Sequence, residues 1–242
     1  MSVQSVQDHY QNHLSGFYSW MLGDFNIRQK KEQEFFEVNQ IIPQSDKIAF
    51  DLGAGSGLQS ISLANLGFEV KAIDTDEYLL RELEERKAGL KIEIIHSDIQ
   101  QVENINFTPE LIICMGDTLP HLPSKTSVET FLKNCYKKLQ TDGKLILSFR
   151  DYSTSLEDTN RFIPVRSDDN RIFTCILEYF PERVKVTDQL YEKTSNGWVQ
   201  KVSSYYKIRL TLEEVRASIE QAGFKISKCQ ELNRMFYLIA SK

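Results

Sequence analysis

The stretch that decides the fold is residues 47–58, KIAFDLGAGSGL. A short apolar run leads into Asp51, and glycine then occupies positions 53, 55 and 57. This pattern predicts a buried strand and a turn whose backbone a ligand can approach closely, beside the unpaired N–H groups of the next helix. Dinucleotide dehydrogenases use the spacing G-x-G-x-x-G, whose third glycine would fall on Leu58. The spacing favours another nucleotide-binding turn but does not by itself exclude a dehydrogenase.

Strands and helices alternate on the C-terminal side of this turn. Such an alternation predicts a parallel sheet with helices on both faces. The predicted strands cover 47–53, 69–74, 91–98, 110–117 and 144–151, and the helices cover 58–68, 77–90 and 127–139.

After Asp151 the pattern changes to long β-rich segments without helices between them. An antiparallel meander of three strands, one further helix and a final hairpin are predicted in turn. These elements cover 171–180, 183–194, 197–210, 211–224 and 224–242.

The predicted fold class is therefore α/β. We expect a Rossmann-like, doubly wound, seven-stranded and mostly parallel sheet, with a final antiparallel strand pair and a small antiparallel β insertion. The predicted organisation has an N-terminal helical cap over 1–42, a cofactor-binding domain over 43–151 and 211–242, and an insertion over 152–210 that covers the substrate side.

Composition narrows the classes of partner. The net charge is −5, so neither nucleic acid nor a membrane surface is expected as a partner. No secretory signal and no apolar run of about 18 residues is visible. The four cysteines lie far apart, which argues against a disulfide framework or a metal site and favours a cytoplasmic location. These properties are those expected of a cytoplasmic protein that acts on small molecules.

Two aspartates end the strands that follow the glycine turn. Asp74, at the end of the second strand, is placed to accept hydrogen bonds from both ribose hydroxyls of an adenosine-containing ligand. Asp98 suits an exocyclic adenine amine, with Ile99 against the ring, although an aspartate there could equally cap the next helix. The fourth strand ends in CMGDTLPHL, at the mouth of the same crevice.

Together these features resemble class I S-adenosylmethionine-dependent methyltransferases, with DLGAGSG as first motif, Asp74 as second and Asp98 in the third. Within that class, three segments look like glycine N-methyltransferase and related small-molecule N-methyltransferases. They are YSWMLGDFNIR (18–28), CMGDTLPHLPS (114–124) and FRDYS (149–153). Asp117 stands where this subgroup has asparagine and Phe149 where it has histidine, which argues against glycine as the acceptor.

The resemblance implies S-adenosyl-L-methionine as the cofactor and assigns residues to its parts. The methionine portion would be contacted by the glycine turn, the ribose by the end of the second strand, and the adenine by the end of the third. Arg28 would pair with the cofactor carboxylate, which suits a bidentate guanidinium. The implied cofactor residues are Tyr18, Trp20, Arg28, Asp51, Gly53, Ala54, Gly55, Asp74, Thr75, Asp98, Ile99 and Met115.

A sulfonium methyl is already activated, so most of the acceleration should come from holding a lone pair in line with the S–CH₃ bond. A general base is needed only if the acceptor arrives protonated, and His121 and Asp117 are the candidates. Arg150 is a candidate anchor for a substrate carboxylate, or else an ion-pair partner of Asp151. Tyr205 and Tyr206 alternate along a strand, so at most one of them faces the crevice.

The N-terminal segment is predicted to be an amphipathic helix. His9 and His13 are expected on its exposed face, although their segment could instead fold over the site. Tyr18 and Trp20 could cap the cofactor or simply pack against the domain.

We therefore expect an enzyme that transfers the methyl of S-adenosylmethionine to a small-molecule acceptor, an amine or a hydroxyl. The alternatives are a non-catalytic cofactor-binding or sensor protein on the same fold and, third, an NAD-dependent oxidoreductase. A homodimer is compatible with the sequence.

Overall fold

The computed structural model describes residues 3–242, and its centre is a seven-stranded sheet of order β10-β11-β5-β4-β1-β2-β3. Strand β11 runs antiparallel to both of its neighbours, and the other pairings are parallel. This confirms the predicted fold class, including the final antiparallel pair. The strands are β1 Ile48–Leu52, β2 Glu69–Asp74, β3 Ile92–His96, β4 Leu111–Cys114, β5 Lys144–Phe149, β10 Lys225–Leu232 and β11 Met235–Ser241.

Helices cover both faces of this sheet, because its central strands are apolar on both sides. In β1, Ala49 and Phe50 point to opposite faces and are both fully buried, each in a separate apolar core. A Thr211–Glu214 capping box begins the last helix. The covering helices are α4 Leu58–Asn65, α5 Glu77–Arg86, α6 Lys125–Lys138 and α7 Leu212–Gln221.

The turn between β1 and α4 requires its glycines. Gly53, Gly55 and Gly57 have φ values of +84°, +51° and +92°, a region that residues with a Cβ rarely adopt. A Cβ on Gly57 would also lie 2.2 Å from Cδ1 of Leu83 in α5. Gly57 is therefore required both by its left-handed backbone conformation and by the close approach of α5.

The insertion forms a second sheet of four strands, in the order β6-β7-β8-β9. The sequence predicted three of these strands and missed β6. Strand β6 has the sequence FIPVRS, and its proline and exposed positions hide the alternation expected of a strand, as is usual at a sheet edge. The bounds are β6 Phe162–Ser167, β7 Arg171–Tyr179, β8 Arg183–Thr194 and β9 Gly197–Ile208.

The N-terminal segment is helical and bridges the two sheets. Its middle turn, Tyr10–Leu14, is π-helical, a local widening that is frequent at functional sites. Leu14 and Phe17 pack on the second sheet, while the Ser15 hydroxyl donates to Asp76 beside the first sheet at 2.6 Å. The helices are α1 Val6–His9, α2 Ser15–Leu22 and α3 Phe25–Val38, and Met1 and Ser2 of the predicted cap lie outside the described residues.

The expectation that His9 and His13 are exposed is wrong. The His9 ring is fully buried; its Nε2 lies 2.9 Å from Oδ2 of Asp188 and its Nδ1 lies 2.8 Å from Oγ of Ser203. His13 is half-buried between the rings of His9 and Phe17. The N-terminal helical segment packs between the two sheets. The polar face that would be exposed on a single sheet therefore contacts the second sheet.

Within residues 3–242, the helices are all too short or too polar to span a bilayer.

Candidate active site

A cavity of about 750 Å³ opens at the carboxyl ends of β1, β2 and β4, between the parallel sheet, the N-terminal helices and the second sheet. Ligand sites of open α/β sheets lie at this edge. Most of the residues implied by the sequence line it. These are Tyr18, Arg28, Gly53, Ala54, Gly55, Asp74, Thr75, Asp98, Ile99, Met115, Asp117, His121 and Arg150.

Asp74 links the second strand to the glycine turn. Its Oδ2 accepts the N–H of Gly55 at 2.8 Å, and its Oδ1 accepts the N–H of Asp76 at 2.9 Å. Burial raises the pKa of this carboxyl, and the two backbone donors oppose that effect without cancelling it. Asp74 lines the cavity, and a carboxylate oxygen can accept more than one hydrogen bond. Asp74 can thus accept ribose hydroxyls while it holds the turn.

The structure shows one of the two roles that the sequence left open for Asp98, the helix cap, and adenine binding stays a prediction. Its side chain caps the 3₁₀ helix Ile99–Asn104 by accepting the N–H of Gln100 at 2.8 Å, and it also lines the cavity. Ile99 is buried directly beside it. An acidic acceptor next to an apolar side chain at a strand end fits the edge and the face of an adenine ring.

Arg28 and Tyr18 come from the N-terminal helices and close the other side of the cavity. No carboxylate of residues 3–242 lies within ion-pair distance of the Arg28 guanidinium, which is exposed at the cavity edge. Burial raises the pKa of the Tyr18 hydroxyl to about 12, so this group remains a neutral hydrogen-bond donor. The residues present therefore fit an adenosyl cofactor that carries a carboxylate.

Two residues assigned to the cofactor from the sequence lie outside the cavity lining. The Asp51 carboxylate is 1% exposed beneath the turn and accepts the hydroxyl of Ser60 at 2.6 Å. The Trp20 indole N–H donates to Asp168 at 2.6 Å, and the ring packs under Arg166. Neither side chain lines the cavity, and each is instead hydrogen-bonded to another residue of the protein.

The position of Asp51 gives a prediction about pH. Burial raises the pKa of its carboxyl to about 7, against an ordinary value of 3.8. The native protein therefore keeps a proton that the unfolded chain loses, and stability falls as the pH rises from about 4 to about 7. Asp51→Asn should stabilise the apoprotein by about 4 kcal/mol more at pH 8 than at pH 4, because this is the free energy that corresponds to a pKa raised by about 3. Urea denaturation of both proteins at the two pH values measures this, and a difference that is independent of pH would contradict it.

On the acceptor side, Asp117 lies in a buried ion pair. Its Oδ2 is 2.6 Å from Nζ of Lys207 and accepts the hydroxyl of Tyr152 at 3.0 Å, while Oδ1 accepts the N–H of Arg150 at 2.8 Å. Burial alone would raise the pKa of this carboxyl, but the Lys207 ammonium and the backbone N–H bring it below its usual value. Asp117 is thus a charged, fully bonded group and a poor general base.

His121 ends a short 3₁₀ helix, Leu119–His121, and its ring packs against Tyr10 and Tyr205, with centroids 5.7 Å away in each case. Burial, and secondarily Lys207, lower the pKa of the imidazole to about 3. Its Nε2 is buried and has no hydrogen-bond partner among the described residues. His121 is therefore neutral and can accept or donate one hydrogen bond, but it is a weak proton acceptor.

Arg150 lies at the mouth of the cavity, where Nη1 donates to the carbonyl of Arg234 at 3.4 Å. The alternative partner, Asp151, instead accepts the backbone N–H groups of Ser153 and Leu212 at 2.6 and 2.8 Å. Most of the guanidinium donors of Arg150 therefore remain available to a ligand.

The sequence analysis missed Lys207 and Asp188, which both line the cavity and are 8% and 4% exposed. The alternation of residues along β9 could have indicated Lys207. Tyr205 faces the cavity and Tyr206 does not, as the alternation predicted, and position 207 follows on the same face as Tyr205. A lysine at an inward-facing position is unusual enough to suggest a buried partner.

The comparisons with known proteins agree with this geometry. Residues 49–143 match the family model of a methyltransferase domain. The chain is similar in fold to CalS10, an amino pentose methyltransferase from Micromonospora echinaspora solved with S-adenosylmethionine bound, with a TM-score of 0.74 at 14% identity over 100% of this chain and 98% of that one. Residues 49–143 are therefore similar to a methyltransferase domain, and the fold of the chain is similar to that of an S-adenosylmethionine-dependent methyltransferase.

Two relatives at the sequence level are glycine/sarcosine N-methyltransferases. The protein from Aphanothece halophytica is 34% identical over 62% of this chain and 59% of its own length. The protein from Halorhodospira halochloris is 29% identical over 62% of this chain and 58% of its own length. The match thus spans about three fifths of each relative.

Proposed function

We propose that this chain transfers a methyl group from S-adenosylmethionine to the nitrogen of a small-molecule amine. The observation that carries the proposal is a single cavity. The glycine turn and Asp74 lie on one side of it, and the Asp117–Lys207 pair and His121 lie on the other. A cofactor and an acceptor can therefore meet without a further domain.

The cofactor would be held by groups that the fold already orients. Asp74 would accept the ribose hydroxyls, Asp98 the adenine amine, and Arg28 would pair with the carboxylate. When bound, S-adenosylmethionine supplies an activated methyl on a sulfonium, so the protein's part is to hold the acceptor lone pair in line at about 3 Å and to exclude water.

The electrostatics of the acceptor side favour nitrogen over oxygen. An alcohol would need a base to become a good nucleophile, whereas an amine needs only its neutral form, which solution equilibrium supplies. Asp117 is ion-paired with its pKa lowered, and the pKa of His121 is about 3, so neither is suited to deprotonate a hydroxyl. The N-methyltransferase relatives support the same choice.

Formation of S-adenosylhomocysteine tests the proposal. The full chain is incubated with S-adenosylmethionine and with matched panels of primary amines, alcohols, phenols and carboxylates, with a sample that lacks acceptor as the control. We expect turnover above the control with amines alone, rising with pH as the amine loses its proton. Turnover with phenols or carboxylates but not with amines would contradict the assignment to nitrogen. Tight cofactor binding with no turnover in any panel would favour the cofactor-binding, non-catalytic alternative.

A further inference from the structure

The second sheet presents an apolar wall to the acceptor side of the cavity. Successive residues of a strand point to opposite faces, and the inward ones line the cavity. Those that are aliphatic or aromatic come from three neighbouring strands, and the paired Cys175 and Asp188 share their face. They are Ile163 and Val165 of β6, Phe173 and Leu177 of β7, and Val186 of β8.

Val165 leaves apolar surface uncovered on this wall. The register of β6 against β7 shifts between Pro164 and Arg166, so Val165 is the extra residue of a β-bulge, a device that re-aims side chains next to active sites. Its side chain lines the cavity and is 40% exposed. Leu14 from the N-terminal helix faces the same space. Since Leu14, Phe173, Leu177 and Val186 are already buried, an occupant with apolar surface would remove mainly Val165 and the half-buried Ile163 from water.

Polar groups also line this part of the cavity. They are Lys207 with its Asp117 partner, Asp188, which is bonded to His9, and His121, whose buried Nε2 lacks a partner among residues 3–242. Together with the exposed side chain of Val165, they suit an acceptor that has both a polar group and an apolar body. A zwitterion as small as glycine would satisfy the polar groups and leave Val165 exposed to water.

Resting on the proposed function, we propose that the methyl acceptor is an amphiphilic amine. Its nitrogen is held by the His121 and Asp117–Lys207 groups, and its apolar body packs on the accessible part of the wall, which is Val165 and Ile163. The cavity therefore selects against small zwitterionic amines, because they cannot cover this apolar surface.

Binding to the cofactor-product complex tests the inference without requiring turnover. The full chain, saturated with S-adenosylhomocysteine, is titrated calorimetrically with 2-phenylethylamine and with methylamine, two primary amines that differ in apolar body. We expect the dissociation constant of 2-phenylethylamine to be lower by about tenfold or more. Equal dissociation constants, or no measurable binding of 2-phenylethylamine, would overturn the inference.

A matched pair of variants tests whether the apolar body of the amine lies against Val165. Val165→Thr keeps the side-chain shape and adds a hydroxyl to the wall, so it should weaken binding of 2-phenylethylamine several-fold. Val199→Thr makes the same change on β9 outside the cavity, where valine is 44% exposed, and should leave binding unchanged. Equal effects of the two variants would place the apolar body elsewhere and overturn the inference.

Methyl transfer to the same two amines separates this inference from the proposed function. Selective binding of 2-phenylethylamine without methylation of either amine would contradict the proposed function and support the inference that the acceptor is amphiphilic. Equally efficient methylation of methylamine and 2-phenylethylamine would support the proposed function and overturn the inference about the acceptor.

Discussion

Replacing Lys207 by methionine is expected to lower the free energy of unfolding by about 3–5 kcal/mol at pH 7. Methionine fills a similar volume but removes the ammonium 2.6 Å from Asp117 and leaves that carboxylate buried without its counter-charge. The side chains of the pair are only 10% and 8% exposed, so solvent cannot replace the missing partner. Urea denaturation followed by circular dichroism measures the change.

Two further variants give this prediction its controls. Lys185→Met removes the ammonium of the Lys185–Glu178 pair, whose side chains are 26% and 40% exposed, and should change stability by less than about 1 kcal/mol. The double variant Lys207→Met, Asp117→Asn should recover most of the lost stability, because no unpaired buried charge remains. If the double variant is as unstable as Lys207→Met, lost packing and not lost charge pairing explains the effect.

Asp74→Ala is expected to weaken S-adenosylmethionine binding by roughly 10- to 100-fold, the equivalent of about 1–3 kcal/mol. The substitution removes the proposed acceptor of the ribose hydroxyls and also the acceptor of the Gly55 N–H, which positions the turn. Calorimetric titration of wild type and variant gives the two dissociation constants.

Asp46→Ala serves as the matched control, because Asp46 is an exposed carboxylate outside the cavity lining. Asp74→Asn separates the two roles, since its amide oxygen can still accept the Gly55 N–H. We expect Asp74→Asn to bind the cofactor with an affinity between those of wild type and Asp74→Ala. Unchanged affinity in both Asp74 variants would show that this carboxylate does not hold the ribose.

Most of the residues predicted to hold the cofactor line one cavity, because that half of the site is built from local features. The glycine turn at 53–57 and the strand-end aspartates Asp74 and Asp98 each stand beside an apolar strand that periodicity reveals. Parallel strands bring their carboxyl ends to one edge, so these side chains had to meet there. Asp51 lies outside the cavity lining, because one residue of alternation decides whether a strand-end side chain points into the cavity or beneath it.

The acceptor half depended on contacts between distant segments, and local patterns do not encode these. Lys207 and Asp117 are far apart in the sequence, and both residue types are ordinarily exposed. His9 is buried only because the N-terminal helix lies against β8 and β9, which places Asp188 and Ser203 around its ring. The edge strand β6 was missed because Pro164 and the exposed positions interrupt its pattern.

Calorimetric titration of the full chain with S-adenosylmethionine, S-adenosylhomocysteine and NAD tests most directly whether this crevice holds a sulfonium cofactor. We expect saturable binding of the first two ligands, one molecule per chain, and no measurable heat of binding with NAD. Binding of NAD alone would show that the crevice is not a site for a sulfonium cofactor.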